Sequence, residues 1–163
     1  MHSLLPHPTK VVQQNLQQLR NAPLWFSGRH HALQFNFLTR YFGTNFLNFT
    51  YASTNLSYFL DITAAPDGGL WVAHDWSDTE SFGVSRFDGK QFERLTTTNG
   101  LPGNKVRSIY CEPNGVAWFL LPNTGVCRYD PRGRKFETFT SARGRLAHNS
   151  VRQMTRASCG SRP

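Results

Sequence analysis

An all-β chain assembled from repeated four-stranded sheets is the fold class that this 163-residue sequence predicts. Three observations predict it. A tryptophan returns at a nearly fixed interval: Trp25, Trp71 and Trp118 stand 46 and 47 residues apart, each after a turn-forming approach, "NAPLW", "DGGLW" and "NGVAW". A second landmark trails each tryptophan, as "RYFGTNFLNFT" from Arg40, "RFDGKQFERLT" from Arg86 and "RYDPRGRKFETFT" from Arg128. A third closes the unit: "NGLPGNKVRSI" from Asn99 matches "RGRLAHNSVRQM" from Arg143, and "STNLSYFLDI" from Ser53 is a weaker copy. Three landmarks in one order and at one period define an internal repeat.

Each unit divides into four short strands. In the third unit they are expected over Val106–Cys111, Val116–Leu121, Gly125–Asp130 and Lys135–Thr140, separated by "EPNG", "PNTG" and "DPRGR". The Pro, Gly, Asn and Asp of these separators favour turn conformations. Apolar residues on both faces, as at Phe136 and Phe139, suit a small sheet covered on both sides. Four antiparallel strands in a repeat of about 45 residues is the pattern of a β-propeller blade. The expected organisation is a lead segment (1–11), a degenerate blade (12–55), two full blades (56–104 and 105–150), and the start of a further blade with an irregular basic tail (151–163). Three blades are fewer than the roughly 4 to 8 that close a ring. The expectation is therefore a partial β-propeller of about three blades, either a segment of a longer one or one completed by association.

Composition narrows the function classes. With 13% aromatic and 17% charged residues, the chain has the make-up of a folding domain rather than a disordered one. The net charge of +8 is uneven: residues 1–60 hold no acid, while from Arg128 onward eight Arg and Lys135 face only Asp130 and Glu137. These cations are scattered singly, without a basic helix or an aromatic stacking patch, so a solvated basic surface is expected and nucleic acid is not the expected partner. Cys111, Cys127 and Cys159 form no CxxC pair. On the first and third strands of one sheet, Cys111 and Cys127 would lie about 10 Å apart, too far for a disulfide. No apolar run approaches the roughly 20 residues of a membrane span, and the N-terminal segment lacks a signal-peptide core.

The run from Asn99 to Val151, "NGLPGNKVRSIYCEPNGVAWFLLPNTGVCRYDPRGRKFETFTSARGRLAHNSV", resembles the two-component regulator propeller repeat. The shared features are a loop with Leu and Asn, a Val-containing strand, a glycine turn, a Trp strand, a Gly-Val start to the third strand, Tyr-Asp, and a Phe strand. The resemblance covers residues 56–154, with 12–55 as a degenerate copy. It implies a periplasmic or extracytoplasmic sensor domain of a two-component (hybrid histidine kinase) regulator, binding ligands such as sugars. It also implies that the 163 residues are a fragment of a larger propeller.

One loop carries the candidate chemistry. The stretch between Trp71 and Gly83, "VAHDWSDTESF", is five residues longer than its counterpart "FLLPNT" and brings together His74, Asp75, Trp76, Asp78 and Glu80. An exposed Trp beside carboxylates is a platform for a sugar ring or a cation; the plainer alternative is a blade insertion whose acids balance nearby arginines. His30, His31, His74 and His148 do not repeat in a metal-binding pattern, and adjacent strand residues point to opposite faces, so neither metal nor cofactor is expected. No nucleophile elbow with a base is present, and Gly68, Gly69 and Gly115 lead into strands without the Lys-Ser/Thr of a phosphate loop. The expected function is a non-catalytic ligand-binding or sensory propeller segment, with a small-molecule or carbohydrate ligand. The alternatives are a propeller enzyme similar to streptogramin lyases, whose blades carry a "PDGGLW"-like turn, and a protein-interaction or self-assembling half propeller.

Overall fold

The computed structural model describes residues 10–11, 24–30, 35–42, 44–51, 59–74 and 82–154. Their strands form three four-stranded antiparallel sheets, each a meander in sequence order. The first sheet contains β1 (Lys10–Val11), β2 (Leu24–His30), β3 (Phe35–Phe42) and β4 (Asn45–Tyr51). The second contains β5 (Phe59–Ala64), β6 (Leu70–His74), β7 (Val84–Phe87) and β8 (Phe92–Leu95). The third contains β9 (Ser108–Cys111), β10 (Ala117–Leu121), β11 (Gly125–Asp130) and β12 (Lys135–Phe139). The first sheet thus begins at Lys10, just upstream of the expected boundary at residue 12. In the third, the strands match the expected ones to within two residues. Val106 falls outside β9, but the Arg107 N–H donates to the Leu120 carbonyl at 2.9 Å and continues the ladder.

The repeat is one of hydrogen bonds as well as letters. At "PDGG", Ala65 N–H donates to the Gly69 carbonyl (2.9 Å) and Gly68 N–H to the Ala65 carbonyl (3.0 Å). At "EPNG", Glu112 N–H donates to the Val116 carbonyl (2.8 Å) and Gly115 N–H to the Glu112 carbonyl (2.9 Å). Asp67 accepts from Gly69 N–H at 3.1 Å, and Asn114 accepts from Val116 N–H at 2.9 Å. These short polar side chains mimic a backbone turn partner. Gly68 (φ +83°) and Gly115 (φ +91°) take the left-handed conformation that a side chain disfavours. The motif is therefore the hairpin between a blade's first and second strands. At "PDGG" it delivers Trp71 to the core.

Blade joints repeat too. Along β6 the side chains alternate: Leu70 and Val72 pack toward the first sheet with Trp25 and Leu38, while Trp71 and Ala73 pack toward the third with Phe119 and Tyr129. All five β6 residues are buried, because this sheet is covered on both faces. Trp25 meets Phe87 of the next sheet edge-on, at 5.9 Å and 89°. Trp71 meets Tyr129 of its next sheet at 5.7 Å and 85°. Each tryptophan also lies beneath the arginine of its own blade, Arg40 at 5.8 Å and Arg86 at 5.5 Å from the ring centroids. Edge-to-face rings contribute about 0.5–1.5 kcal/mol beyond the area they bury, so one aromatic pair anchors each joint.

Candidate functional site

Meander topology places the connections alternately at two rims. One rim carries tight turns, at residues 65–69, 88–91, 112–116 and 131–134; the other carries residues 96–107 and 122–124. The candidate loop connects β6 to β7, whose joined ends lie at the second rim. Asp75, Trp76, Asp78 and Glu80 lie outside the described residues. His74 and the loop's base are described.

That base is fixed from several sides. His74 N–H donates to the Gly83 carbonyl at 3.4 Å, and Gly83 N–H donates to the Asn104 carbonyl at 2.9 Å. Gly83 has φ +71°, and a Cβ there would stand 2.2 Å from the Leu95 carbonyl oxygen, so only glycine fits. Asn104 in turn accepts from Thr97 N–H at 2.8 Å through its side-chain oxygen. Asn149 repeats this contact with Ser141 N–H at 2.6 Å. The Asn of the third sequence landmark thus ties the exit turns of the second and third blades. Beside the loop, the Arg94 guanidinium sits 5.5 Å from the Phe82 ring centroid.

His74 does not stand in the solvent. It ends β6, shares the face of Leu70 and Val72, and is 0% exposed. Its Nε2 lies 2.7 Å from Ser85 Oγ, and its ring meets Phe59 at 5.7 Å. Burial, aided by the positive charge of Arg94, pushes its pKa down to about 3. The imidazole is therefore neutral at neutral pH and serves the joint between the first and second sheets. Period-two parity along "LWVAH" was the sequence signal for this placement.

The remaining polar candidates are dispersed. His30 ends β2, His31 lies outside the described residues, and His148 is exposed, its Nδ1 accepting from Ser150 N–H at 3.0 Å. Among the described residues no group of three His, Cys, Asp or Glu is placed to hold a metal ion. Cys111 and Cys127 are free thiols on strands separated by β10. Burial pushes their pKa values up to about 11 and about 12, so both stay protonated at neutral pH. Among the described residues no helix is long and apolar enough to cross a membrane.

One group was missed at the level of sequence. Asp61, 9% exposed on β5, accepts from Ile109 N–H at 2.9 Å and from Ser108 Oγ at 3.0 Å, both on β9. Thr63 adds a bond from its hydroxyl to the Ile109 carbonyl at 2.9 Å. These contacts stitch the first strands of consecutive blades. Asp61 and Ser108 are 47 residues apart, the repeat interval itself, so aligning the units was the available signal.

The architecture defines a protein of the β-propeller class, represented by three consecutive blades. Among solved structures, the chain superposes on the extracellular domain of a protein assigned as a hybrid two-component system of B. thetaiotaomicron. The TM-score is 0.55 and the identity 21%, over 77% of this chain and 16% of that one. It also superposes on PorZ, described as an essential bacterial surface component of the type-IX secretion system of Porphyromonas gingivalis. There the TM-score is 0.56 and the identity 16%, over 86% of this chain and 21% of that one. The chain thus spans about a fifth or less of the length of either structure. No family model matches the sequence, and no curated protein matches it.

Proposed function

We propose that this chain is a non-catalytic, ligand-binding segment of an extracytoplasmic sensory β-propeller, with the loop of residues 74–81 as its recognition element. The observation that carries the reading is the structural likeness to an extracellular domain of a two-component system, over 77% of the chain. Two further features support it. The residues that flank the loop are held by hydrogen bonds of Gly83 with His74 and Asn104, and rigid scaffolds presenting variable loops are the usual setting for recognition. His74 is buried and neutral, and the thiols of buried Cys127 and half-buried Cys111 stay protonated, which leaves Trp76 with Asp75, Asp78 and Glu80 as the loop's recognition chemistry. A tryptophan flanked by carboxylates offers a stacking face and hydrogen-bond acceptors to a neutral sugar.

Calorimetric titration with a panel of neutral oligosaccharides tests the proposal. Saturable heat is expected with at least one of them, and Trp76→Ala removes it while leaving the melting temperature unchanged. Absence of binding across the panel, or magnesium-dependent turnover of any substrate, overturns the reading.

A further inference from the structure

Among the described residues the fourth strand of each sheet, β4, β8 or β12, is hydrogen-bonded to a neighbouring strand on one side only. Blades pack through their faces, so this edge is open whichever blades stand to either side. A row of unpaired N–H and C=O groups templates a further strand, and sheet edges that stay single are defended by charge. β8 carries Glu93 and Arg94 within "FERL", and β12 carries Lys135 and Glu137 within "KFETF". β4, "NFLNFTY", carries no charge and is the longest of the three, at seven residues against four and five. Its aromatic and β-branched residues favour an extended strand, and it lies in an uncharged stretch from Tyr41 to Leu60. Asn45, Asn48 and Thr50 are exposed. Leu47 is 54% exposed although it shares the face of Phe49, whose ring packs on Trp25 and Phe87 inside the joint with the second sheet.

Reversed, this strand matches itself. An antiparallel pairing of two copies centred on Asn48 sets Leu47 opposite Phe49, Phe46 opposite Thr50 and Asn45 opposite Tyr51, each of them twice. Side-chain parity is kept, with residues 45, 47, 49 and 51 on one face and 46, 48 and 50 on the other. Leu47 then gains an aromatic neighbour across strands, and the two Asn48 amides meet at the centre. Charge favours the same occupant. The net charge of +8 makes two copies repel over most of their surface, and 41–60 is the longest stretch on which they approach without that cost. An uncharged edge offers a foreign segment no charge to recognise, whereas its own reversed sequence supplies the side-chain match.

We propose that two copies of this chain associate edge to edge through β4, antiparallel about Asn48, joining two four-stranded sheets into one. The mode is strand addition, in which main-chain hydrogen bonds supply the attraction and alternate side chains set the register. The contact is isologous and uses each edge once, so it closes at two copies. It rests on strand order and residue identity and stands or falls separately from the ligand-binding proposal.

Light scattering of the full 163-residue chain at micromolar concentration is expected to give twice the 18.6 kDa of one chain. Cross-linking reads the register. With Cys159 replaced by Ser, Asn48→Cys sets two thiols directly opposite, their Cα atoms about 4.5–5.5 Å apart, a span that a disulfide bridges. Asn45→Cys in the same background sets them about 20 Å apart. Mild oxidation is therefore expected to link copies in the first variant and not in the second. Asn48→Lys brings two ammonium groups face to face and is expected to weaken the dimer about tenfold or more, while circular dichroism verifies that the blade fold is kept. A wild-type monomer overturns the proposal and leaves the edge to an extended segment of another protein. Equal cross-linking of both cysteine variants, a dimer indifferent to Asn48→Lys, or an open-ended polymer also overturns it, the last because an edge used once per copy does not propagate.

Discussion

The second and third blades have the same backbone and different surroundings. Their hairpins share hydrogen bonds at equivalent atoms, their aromatic pairs share geometry, and their exit turns are tied by Asn104 and Asn149. Yet Trp71 is enclosed between sheets while Trp118, at the same position, faces outward. The second blade also holds a buried polar pair, His74 with Ser85, where the third places Leu121 and Cys127, both buried. Local turn chemistry thus sets the blade, and neighbours set the energetic worth of each side chain. Identical letters carry different weight.

The sharpest way to probe that difference is to truncate the equivalent tryptophans. Trp71→Ala is expected to cost about 3–5 kcal/mol, the range for a buried aromatic in a packed core. Trp118→Ala should cost less than half as much in the monomer, because its ring is only half-buried. Urea unfolding of both variants, followed by circular dichroism, measures the contrast; equal losses would mean that the two joints are equally filled.

Next in size is the stitch between the blades. Asp61→Ala leaves the Ile109 N–H and the Ser108 hydroxyl without their buried acceptor. The expected cost is about 2–3 kcal/mol, since stranded buried donors forfeit their solvation. Ser108→Ala, which removes only one donor, should cost about 1 kcal/mol. The same denaturation curves give both values.

The polar pair supplies a pH signature confined to the second blade. With its pKa lowered to about 3 in the fold from an ordinary 6.5, His74 takes up a proton more readily in the unfolded chain. Its contribution is complete above pH 6.5 and is lost progressively as the pH falls toward 3. By pH 5 the loss is about 2 kcal/mol. Melting temperatures measured from pH 7 to 5 should decline in the wild type. They should stay nearly level in His74→Leu/Ser85→Ala, which gives the second blade the apolar character of the third. A parallel decline in both proteins would assign the acid sensitivity elsewhere.

The blades were legible in sequence because their turns demand particular residues. Gly68 and Gly115 must adopt positive φ, and Asp67 and Asn114 must accept a bond two residues on. Such requirements leave marks at fixed spacing. The candidate site was legible only as a loop of unusual length. His74 looked like part of it because sequence adjacency to Asp75 and Trp76 outweighed the parity that aligns it with Leu70 and Val72. Asp61 was passed over because a lone carboxylate in "FLDITA" reads as polar alternation, and its partners lie on another strand far along the chain. Contacts within a hairpin are written locally, and contacts between blades are not.

That separation has a temporal side. The acceptor on Asp61 and the donor on Ile109 are 48 residues apart. At a synthesis rate of about 5–20 residues per second, the interval between their emergence is roughly 2–10 s. Throughout it the second blade has its hairpins but lacks the cover of the third, and the Asp61 carboxylate remains hydrated. The nascent chain therefore passes through a stage in which each finished blade exposes the face reserved for its successor.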